Sequence, residues 1–475
     1  MNAHDSERMV DVLVGAGWQE ASTLETADLI VFNTCSVREK AEQKLLSEVG
    51  KLKPLKEKNA GLLIAVAGCV AQQEGQKLLD RVSFIDLVLG PDNIAELPAM
   101  LAQVERGGLA VARTEFDLED PKFLAASGAS ASVTSYVTTM KGCDERCSFC
   151  IVPTTRGPER YRPTNEIIDE IGRLVAGGTR EVMLLGQTVD SFRDPSLPPP
   201  VSDNPDESQF PELLRRIAAA SPSLARLRYT SPHPRHLTPS LIQAHAELSV
   251  LARHVHMPVQ SGSNRVLRRM IRRYTREEYQ ARVRSLQTAR TFEAITVSTD
   301  LIVGFPGETE EDFADTLSLV EDMRFTSLYA FKYSQRPGTP ALKLTDDVTE
   351  RQKSERLSRL LALADSLGQA HLKSLVGTEA CVLLEGPSKS DRRGIAGFRL
   401  FQGRTERAEI AHVLVPDGVD ASGLLVQVRI TGANKHSLEA EALELRAFHD
   451  HLASGIGRAL RRRLPVIGMN EGGTP

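Results

Sequence analysis

Apolar and polar positions follow three different rhythms along the chain. Up to about Arg113, the continuous apolar runs 28–32 and 62–67 flank a stretch from Val37 to Lys53 rich in Glu, Lys, Gln and Leu. Runs of that length suit parallel strands buried on both faces, and the stretch between them suits a helix. Residues 1–113 are therefore expected to form an α/β domain. A linker is expected over 114–132, ending in the small-residue stretch 125–132, which offers little to a core.

The alternation then runs for six rounds within an expected domain at 133–375. Strand candidates are Val133–Met140, Val182–Leu185, Leu227–Thr230, Val255–Val259, Thr296–Val303 and Leu328–Tyr333. Helical patterns at Asn165–Ala176, Pro239–Leu248, Arg276–Ala289 and Glu310–Met323 separate them, and Thr238 before Pro239 is a normal helix start. Six such units predict a partial (βα)6 barrel or an open sheet, with its site at the carboxyl ends of the strands. Arg193–Ser208, with three consecutive prolines, reads as a surface insertion, and a long helix is expected over Val348–Leu375. Beyond Gly377 the period shortens to two. Runs at Ala380–Leu384, Ala408–Val413 and Leu425–Ile430 between glycine-rich turns predict a small antiparallel β-barrel at 376–445, followed by a tail at 446–475.

Composition narrows the class. The chain has 475 residues, of which 41% are hydrophobic and 25% charged, which excludes disorder. Its longest apolar run, Gly61–Ala71, is too short to span a bilayer, and no basic leader precedes an apolar stretch near Met1. A cytoplasmic protein that does not enter the membrane is expected. The net charge of −4 excludes a polybasic coat but leaves room for a local basic site.

Three of the six cysteines, Cys143, Cys147 and Cys150, form CxxxCxxC directly after a strand. Three thiolates can hold three irons of a cubane cluster and leave the fourth iron open to a ligand. S-adenosylmethionine can chelate such an iron through its amino and carboxylate groups, and one electron delivered to its sulfonium releases a 5′-deoxyadenosyl radical. Zinc is the alternative, but no nearby fourth Cys or His completes a tetrahedral site, since His233 and His236 follow another strand.

On these residues the sequence resembles the radical S-adenosylmethionine superfamily, and within it the methylthiotransferase family. The motif at 142–150 continues as Pro153-Thr154-Thr155-Arg156-Gly157. The segments 33–41 (Asn-Thr-Cys-Ser-Val-Arg-Glu-Lys-Ala) and 68–72 (Gly-Cys-Val-Ala-Gln) are similar to that family's N-terminal cluster motifs. His256–Ser263 and Gly304–Thr309 match later ones, and the final barrel resembles the family's TRAM domain. The wording at 33–41 and 258–263 is most similar to the branch that methylthiolates C2 of N6-isopentenyladenosine at position 37 of tRNA. The resemblance implies that Cys35 and Cys69 hold an auxiliary 4Fe-4S cluster beside the one on Cys143, Cys147 and Cys150. Each of the two also closes an apolar strand, which lets their thiols meet beyond neighbouring carboxyl ends. Further implications are S-adenosylmethionine as radical source and methyl donor, tRNA as substrate, a reducing partner such as flavodoxin or ferredoxin, and a monomer. The family's third N-terminal cysteine precedes a Met-Asn pair. Here Met1-Asn2 open the chain, so that ligand is missing from it: either the start is misassigned, which we expect, or the auxiliary cluster has only two protein thiolates. As written, the chain is expected to cleave S-adenosylmethionine but to transfer methylthio groups poorly.

Other candidates are less distinctive. Gly186 and Gln187, at the end of the second strand of the central domain, could meet the methionine amino group, and Gln260 and Ser261 a ribose or base. Gly304 and Gly307 could let backbone approach a ligand. Arg265, Arg268, Arg269, Arg272 and Arg276 fall on one helical stripe and are expected to contact RNA phosphates. From Gly377 to Glu441 there are eight Lys and Arg against nine Asp and Glu, so any RNA face there must be local, around Arg392, Arg393, Arg404 and Lys435. Cys381 reads as a structural cysteine. The rivals are a sister methylthiotransferase acting on threonylcarbamoyladenosine or a ribosomal protein aspartate, and a non-catalytic, metal-stapled RNA-binding protein.

Overall fold

The computed structural model describes residues 2–35, 41–119, 121–126, 131–290, 294–389 and 395–444. The N-terminal region contains α1 (Asn2–Gly15), β1 (Leu29–Thr34), α2 (Ala41–Lys51), α3 (Lys53–Lys58), β2 (Leu63–Gly68), α4 (Cys69–Glu74), α5 (Gln76–Arg81), β3 (Leu87–Leu89), α6 (Leu97–Gly107) and β4 (Val111–Arg113). Its four parallel strands lie in the order β1-β2-β3-β4. Every residue of β2 is buried, because α2 and α5 pack on one face while α1 and α6 pack on the other. That two-sided cover is why its sequence is apolar without alternation. The expected helix over 37–53 is observed from Ala41; its first positions lie outside the described residues.

The central region runs β5 (Thr134–Thr138), β6 (Met140–Lys141), α7 (Val152–Arg156), β7 (Arg160–Tyr161), α8 (Thr164–Ala176), β8 (Glu181–Leu185), α9 (Phe210–Ala220), β9 (Arg226–Tyr229), α10 (Pro239–Glu247), β10 (His254–His256), α11 (Asn264–Arg269), α12 (Arg276–Gln287), β11 (Thr296–Val303), α13 (Glu310–Met323), β12 (Ser327–Lys332) and α14 (Glu350–Ser374). All six predicted strands are present. They form two parallel three-stranded sheets, β5-β8-β9 and β10-β11-β12, joined by a single parallel bridge between Leu227 and Leu251. One face packs against the helices through Val137, Leu184, Leu227, Val255, Val297 and Leu301. The opposite face lines an open lumen. The linker is less loose than its composition suggests: Ala126 is buried in the central core, and its N–H donates to Glu170 at 2.6 Å.

The C-terminal strands β13 (Glu379–Pro387), β14 (Phe398–Arg404), β15 (Ile410–Pro416), β16 (Leu425–Ala433) and β17 (Leu438–Ala442) close into a barrel in the order β13-β14-β15-β17-β16. The barrel is antiparallel as expected except at β15 and β17, which pair in parallel. Its 405–406 turn docks on the central sheet: the Arg228 guanidinium donates to the Thr405 carbonyl at 3.1 Å, and the Arg253 N–H to the Glu406 carbonyl at 2.9 Å. The expected tail lies outside the described residues. Among the described residues no helix is long and apolar enough to cross a membrane.

Buried charge joins the N-terminal and central regions. Asp5 on α1 and Arg156 on α7 are both buried and meet at 2.6 Å. Asp92 contacts Lys141 and Arg160 in the same seam. Burial alone would raise the Asp5 carboxyl, but the Arg156 guanidinium and a hydrogen bond with His4 outweigh it and hold it well below the usual carboxylate range. Its stabilising contribution is therefore complete at neutral pH and is lost only as the pH falls through that depressed value. Asp5→Ala, which strands a buried guanidinium, is expected to cost ~3–5 kcal/mol. A thermal melt of the variant indistinguishable from that of the parent chain would contradict this.

Candidate functional site

The cysteine loop leaves the carboxyl end of β5 and is clamped by the β6–β7 hairpin. Gly142 opens it at φ +76°, where a Cβ would lie 1.9 Å from the Pro158 carbonyl oxygen, so no other residue fits. Cys143 and Cys147 are buried and Cys150 is half-buried, and none of the six cysteines is in a disulfide. The Cys143 Sγ lies 2.9 Å from the Thr188 hydroxyl, and the Cys150 N–H donates to the Cys147 carbonyl at 3.1 Å. Burial pushes the Cys143 thiol up to about 12, with Cys150 adding to the rise. Burial and the neighbouring Cys147 push Cys150 up to about 11. Among the described residues no three His, Cys, Asp or Glu side chains gather around one point as a single metal ion requires. Three cysteines on one loop, none in a disulfide, are a donor set that three irons of a cubane can use.

Cys35 and Cys69 directly follow the paired residues Thr34 and Gly68 at the carboxyl ends of β1 and β2, which makes them neighbours. Arg156, six residues beyond Cys150, hydrogen-bonds the Cys69 side chain as well as Asp5. The two cysteine sets therefore share one seam between the regions.

Several side chains around the cysteine loop were not singled out by sequence patterns. His233 and His236, remote in sequence, follow β9, yet His236 Nε2 sits 3.5 Å from Glu145 inside the loop. The expectation that these histidines are distant is thereby corrected. Asp190 accepts from the His233 N–H at 2.8 Å, and burial pushes its carboxyl up to about 7. Burial, with Arg272 nearby, holds His233 well below its usual value. Burial would also lower His236, but its hydrogen bond with Glu145 prevails and raises it. Gln187 Oε1, Asp190 Oδ2, Glu145 Oε2 and His233 Nε2 are all buried without hydrogen-bond partners. Four orphaned polar atoms beside the cysteine loop fit a polar ligand bearing both donors and acceptors, as the amino-acid end of S-adenosylmethionine does. Ser231 and Gln260, which follow β9 and β10, hold positive φ of 60° and 74°, strain of the kind that gathers at ligand sites.

Other predicted site residues are used elsewhere. Gly186 packs against Met140, leaving Gln187 as the polar group at that strand end. Ser261 is fully buried and accepts from the Ser263 N–H at 3.2 Å, so it stabilises a turn and does not meet a ligand. The N–H groups of Gly304 and Gly307 donate to the Glu308 and Asp347 carboxylates, which makes this loop a packed turn with no vacant cradle. The arginine stripe is not one helix: α11 ends at Arg269, α12 starts at Arg276, and Ile271 and Arg273 between them have positive φ. Arg265 pairs with Asp312, Arg269 donates to the Pro306 carbonyl at 3.0 Å, and Arg276 pairs with Asp322 at 2.8 Å. Arg272 is buried and donates to the Cys147 Sγ at 3.1 Å, so it serves the cysteine loop and is withdrawn from any RNA face. Arg268 remains exposed, as a phosphate contact requires. In the C-terminal barrel, Arg404 faces the lumen, Lys435 pairs with Asp365 at 3.0 Å, and Arg392 and Arg393 lie outside the described residues. Cys381 sits on β13 in the barrel wall, as a structural cysteine would.

The lumen between the central sheet and the C-terminal barrel is a cavity of about 1020 Å³. Tyr136, Met183, Arg228 and His256 line it from the sheet, with Arg399 and Phe401 facing them from the barrel.

Known proteins similar to this chain point to one family. Residues 137–320 match the Radical SAM superfamily, and residues 1–90 match Uncharacterized protein family UPF0004. A tRNA-2-methylthio-N(6)-dimethylallyladenosine synthase from Sorangium cellulosum is 59% identical over 489 residues, covering 100% of this chain and 98% of the relative. A protein of the same name from Acidithiobacillus ferrooxidans is 42% identical over 448 residues, covering 93% of this chain and 95% of the relative. The solved structure of a radical S-adenosylmethionine methyltransferase from Kitasatospora setae aligns with a TM-score of 0.49 at 14% identity, over 84% of this chain and 78% of that one, a likeness too distant to bear on function. By this full-length similarity and its radical domain, the chain belongs to the radical S-adenosylmethionine methylthiotransferases, in the family of the tRNA-2-methylthio-N(6)-dimethylallyladenosine synthases.

Proposed function

We propose that this chain attaches a methylthio group to C2 of N6-isopentenyladenosine at position 37 of tRNA. The observation that carries this reading is Arg156, which follows the Cys143–Cys150 loop yet touches Cys69 of the other set. A radical enzyme that also transfers sulfur needs its radical source and its sulfur site beside one substrate, and Arg156 joins the two cysteine sets across one seam.

Cys143, Cys147 and Cys150 hold a 4Fe-4S cluster, and Cys35 and Cys69 contribute to a second. When bound, the first supplies the electron that cleaves S-adenosylmethionine, and the second is the source of the transferred sulfur. Arg272 donates a hydrogen bond to the Cys147 sulfur, which favours the reduced, more negative state of whatever that sulfur binds. Gln187, Asp190, Glu145 and His233 offer their unpartnered atoms to the methionine end of S-adenosylmethionine. The C-terminal barrel closes the lumen from below and limits water and stray hydrogen donors near a reactive carbon radical. A small electron-transfer protein such as flavodoxin or ferredoxin is the expected reductant.

Deleting the gene is expected to strip the methylthio group from tRNA while leaving the isopentenyl group in place; tRNA that keeps it by nucleoside mass spectrometry would overturn the assignment. In anaerobically reconstituted protein, Cys147→Ser should abolish 5′-deoxyadenosine release. Cys69→Ser should keep that release but lose the weak methylthio transfer that the parent chain shows. Equal loss of both activities in Cys69→Ser would contradict the division of labour between the two cysteine sets.

A further inference from the structure

The lumen face of β10 and β11 carries an unbroken line of hydrogen bonds that the cysteine chemistry leaves unused. The Thr296 hydroxyl donates to the Arg253 carbonyl at 3.1 Å, so its oxygen accepts the Nδ1–H of His254 at 3.0 Å. Burial, with the Arg228 cation nearby, pushes His254 down to about 3, which keeps it neutral. Its bare Nε2 then accepts from the Ser298 hydroxyl at 2.9 Å. Having given its only hydrogen, Ser298 accepts the Nδ1–H of His256 at 2.9 Å. The other ring nitrogen of His256, Nε2, faces Asp300 Oδ2 at 3.3 Å. The His256 ring therefore stands against one oxygen of Asp300 and holds it in place. Oδ1 has no hydrogen-bond partner among the described residues and remains an acceptor.

An aromatic face stands beside this acceptor. Tyr329 lies in register with Asp300 on the next strand, meets the His256 ring at 5.9 Å, and is 58% exposed. Phe331, two residues on and on the same face, is 40% exposed. Large aromatic side chains on the inward face of a sheet are normally covered. Here an aromatic plane, a carboxylate oxygen and an apolar ring sit together on the inward face of the sheet, beside His256, which lines the cavity. Proteins that read an extruded base combine a stacking surface with a hydrogen bond to the base edge in the same way.

We propose that Tyr329 and Asp300 form the base-reading wall of the lumen, Tyr329 stacking on the base and Asp300 Oδ1 accepting the exocyclic N6–H of an adenine, with His256 positioning Asp300. Phe331 then flanks the aliphatic substituent on N6. The assignment rests on the tRNA reading above and adds the ligand class, an adenine that keeps at least one N6 hydrogen.

The test uses reconstituted full-length protein and an anticodon stem-loop RNA carrying either adenosine or purine riboside at the target position. Purine riboside differs from adenosine only in lacking the exocyclic amino group. Fluorescence anisotropy should show the parent chain preferring adenosine by about fivefold to tenfold, the worth of one buried hydrogen bond. Asp300→Ala should bind both RNAs alike; Asp300→Leu, of similar shape and without an acceptor, gives the same readout should the alanine variant fail to fold. Tyr329→Ala should weaken binding of both RNAs by about tenfold while Tyr329→Phe leaves it unchanged, since stacking needs the ring and not the hydroxyl. A parent chain that binds both RNAs equally, or an Asp300 variant that keeps the preference, overturns the proposal. A parent chain that binds neither RNA counts instead against the tRNA reading on which it rests.

Discussion

Arg156 is the residue on which the arrangement of the site depends. A guanidinium buried between two domains is costly unless its donors are met, and here a carboxylate from α1 and a cysteine from α4 meet them. The same residue lies one helical turn beyond the cysteine loop of the central region. Satisfying one buried cation therefore fixes where the N-terminal sheet sits, and with it where Cys35 and Cys69 stand relative to Cys143, Cys147 and Cys150. The Asp92 contacts to Lys141 and Arg160 hold the rest of the seam in the same register.

The central sheet departs from the usual parallel pattern for a functional reason. Its helix-facing side is apolar and continuous, but its inward side carries Glu181, Arg228, His254, His256 and Asp300. Each of these is paired: Arg228 with Glu181 at 2.9 Å, His256 with Asp300 and with Ser298. Burying such groups is tolerable only when each finds a partner, and that requirement turns the wall into a fixed array of donors and acceptors. The C-terminal barrel belongs to this design. Near-neutral overall, it docks by turning the carbonyls of Thr405 and Glu406 onto the arginines of the sheet, and so completes the cavity.

What was legible along the chain was local or strongly periodic. The six central strands and the CxxxCxxC loop could be placed because each signal occupies fewer than about ten residues. Strands β14 and β17 were missed because Phe398–Arg404 and Leu438–Ala442 mix charge into the alternation. The arginine stripe was misread for a different reason. Counting positions on one helix assumes the helix is unbroken, and Ile271 and Arg273 break it, sending Arg272 inward to Cys147. Gly304 and Gly307 mark a sharp turn correctly, but whether a turn cradles a ligand depends on who takes its N–H groups, and Glu308 and Asp347 take them.

By itself, the sequence determined the three-part organisation, the βα succession of the centre and the cysteines able to hold iron, because strand periodicity and ligand spacing act over one turn or one loop. Only the tertiary structure decided that His236 reaches Glu145, that Arg272 faces a sulfur and not a phosphate, and that His254, Ser298, His256 and Asp300 form one line. Those contacts join residues from separate strands and loops, and their chemistry comes from burial and from which neighbour satisfies each polar atom. Burial and partnership are properties of the packed chain, and no spacing along a linear sequence encodes them.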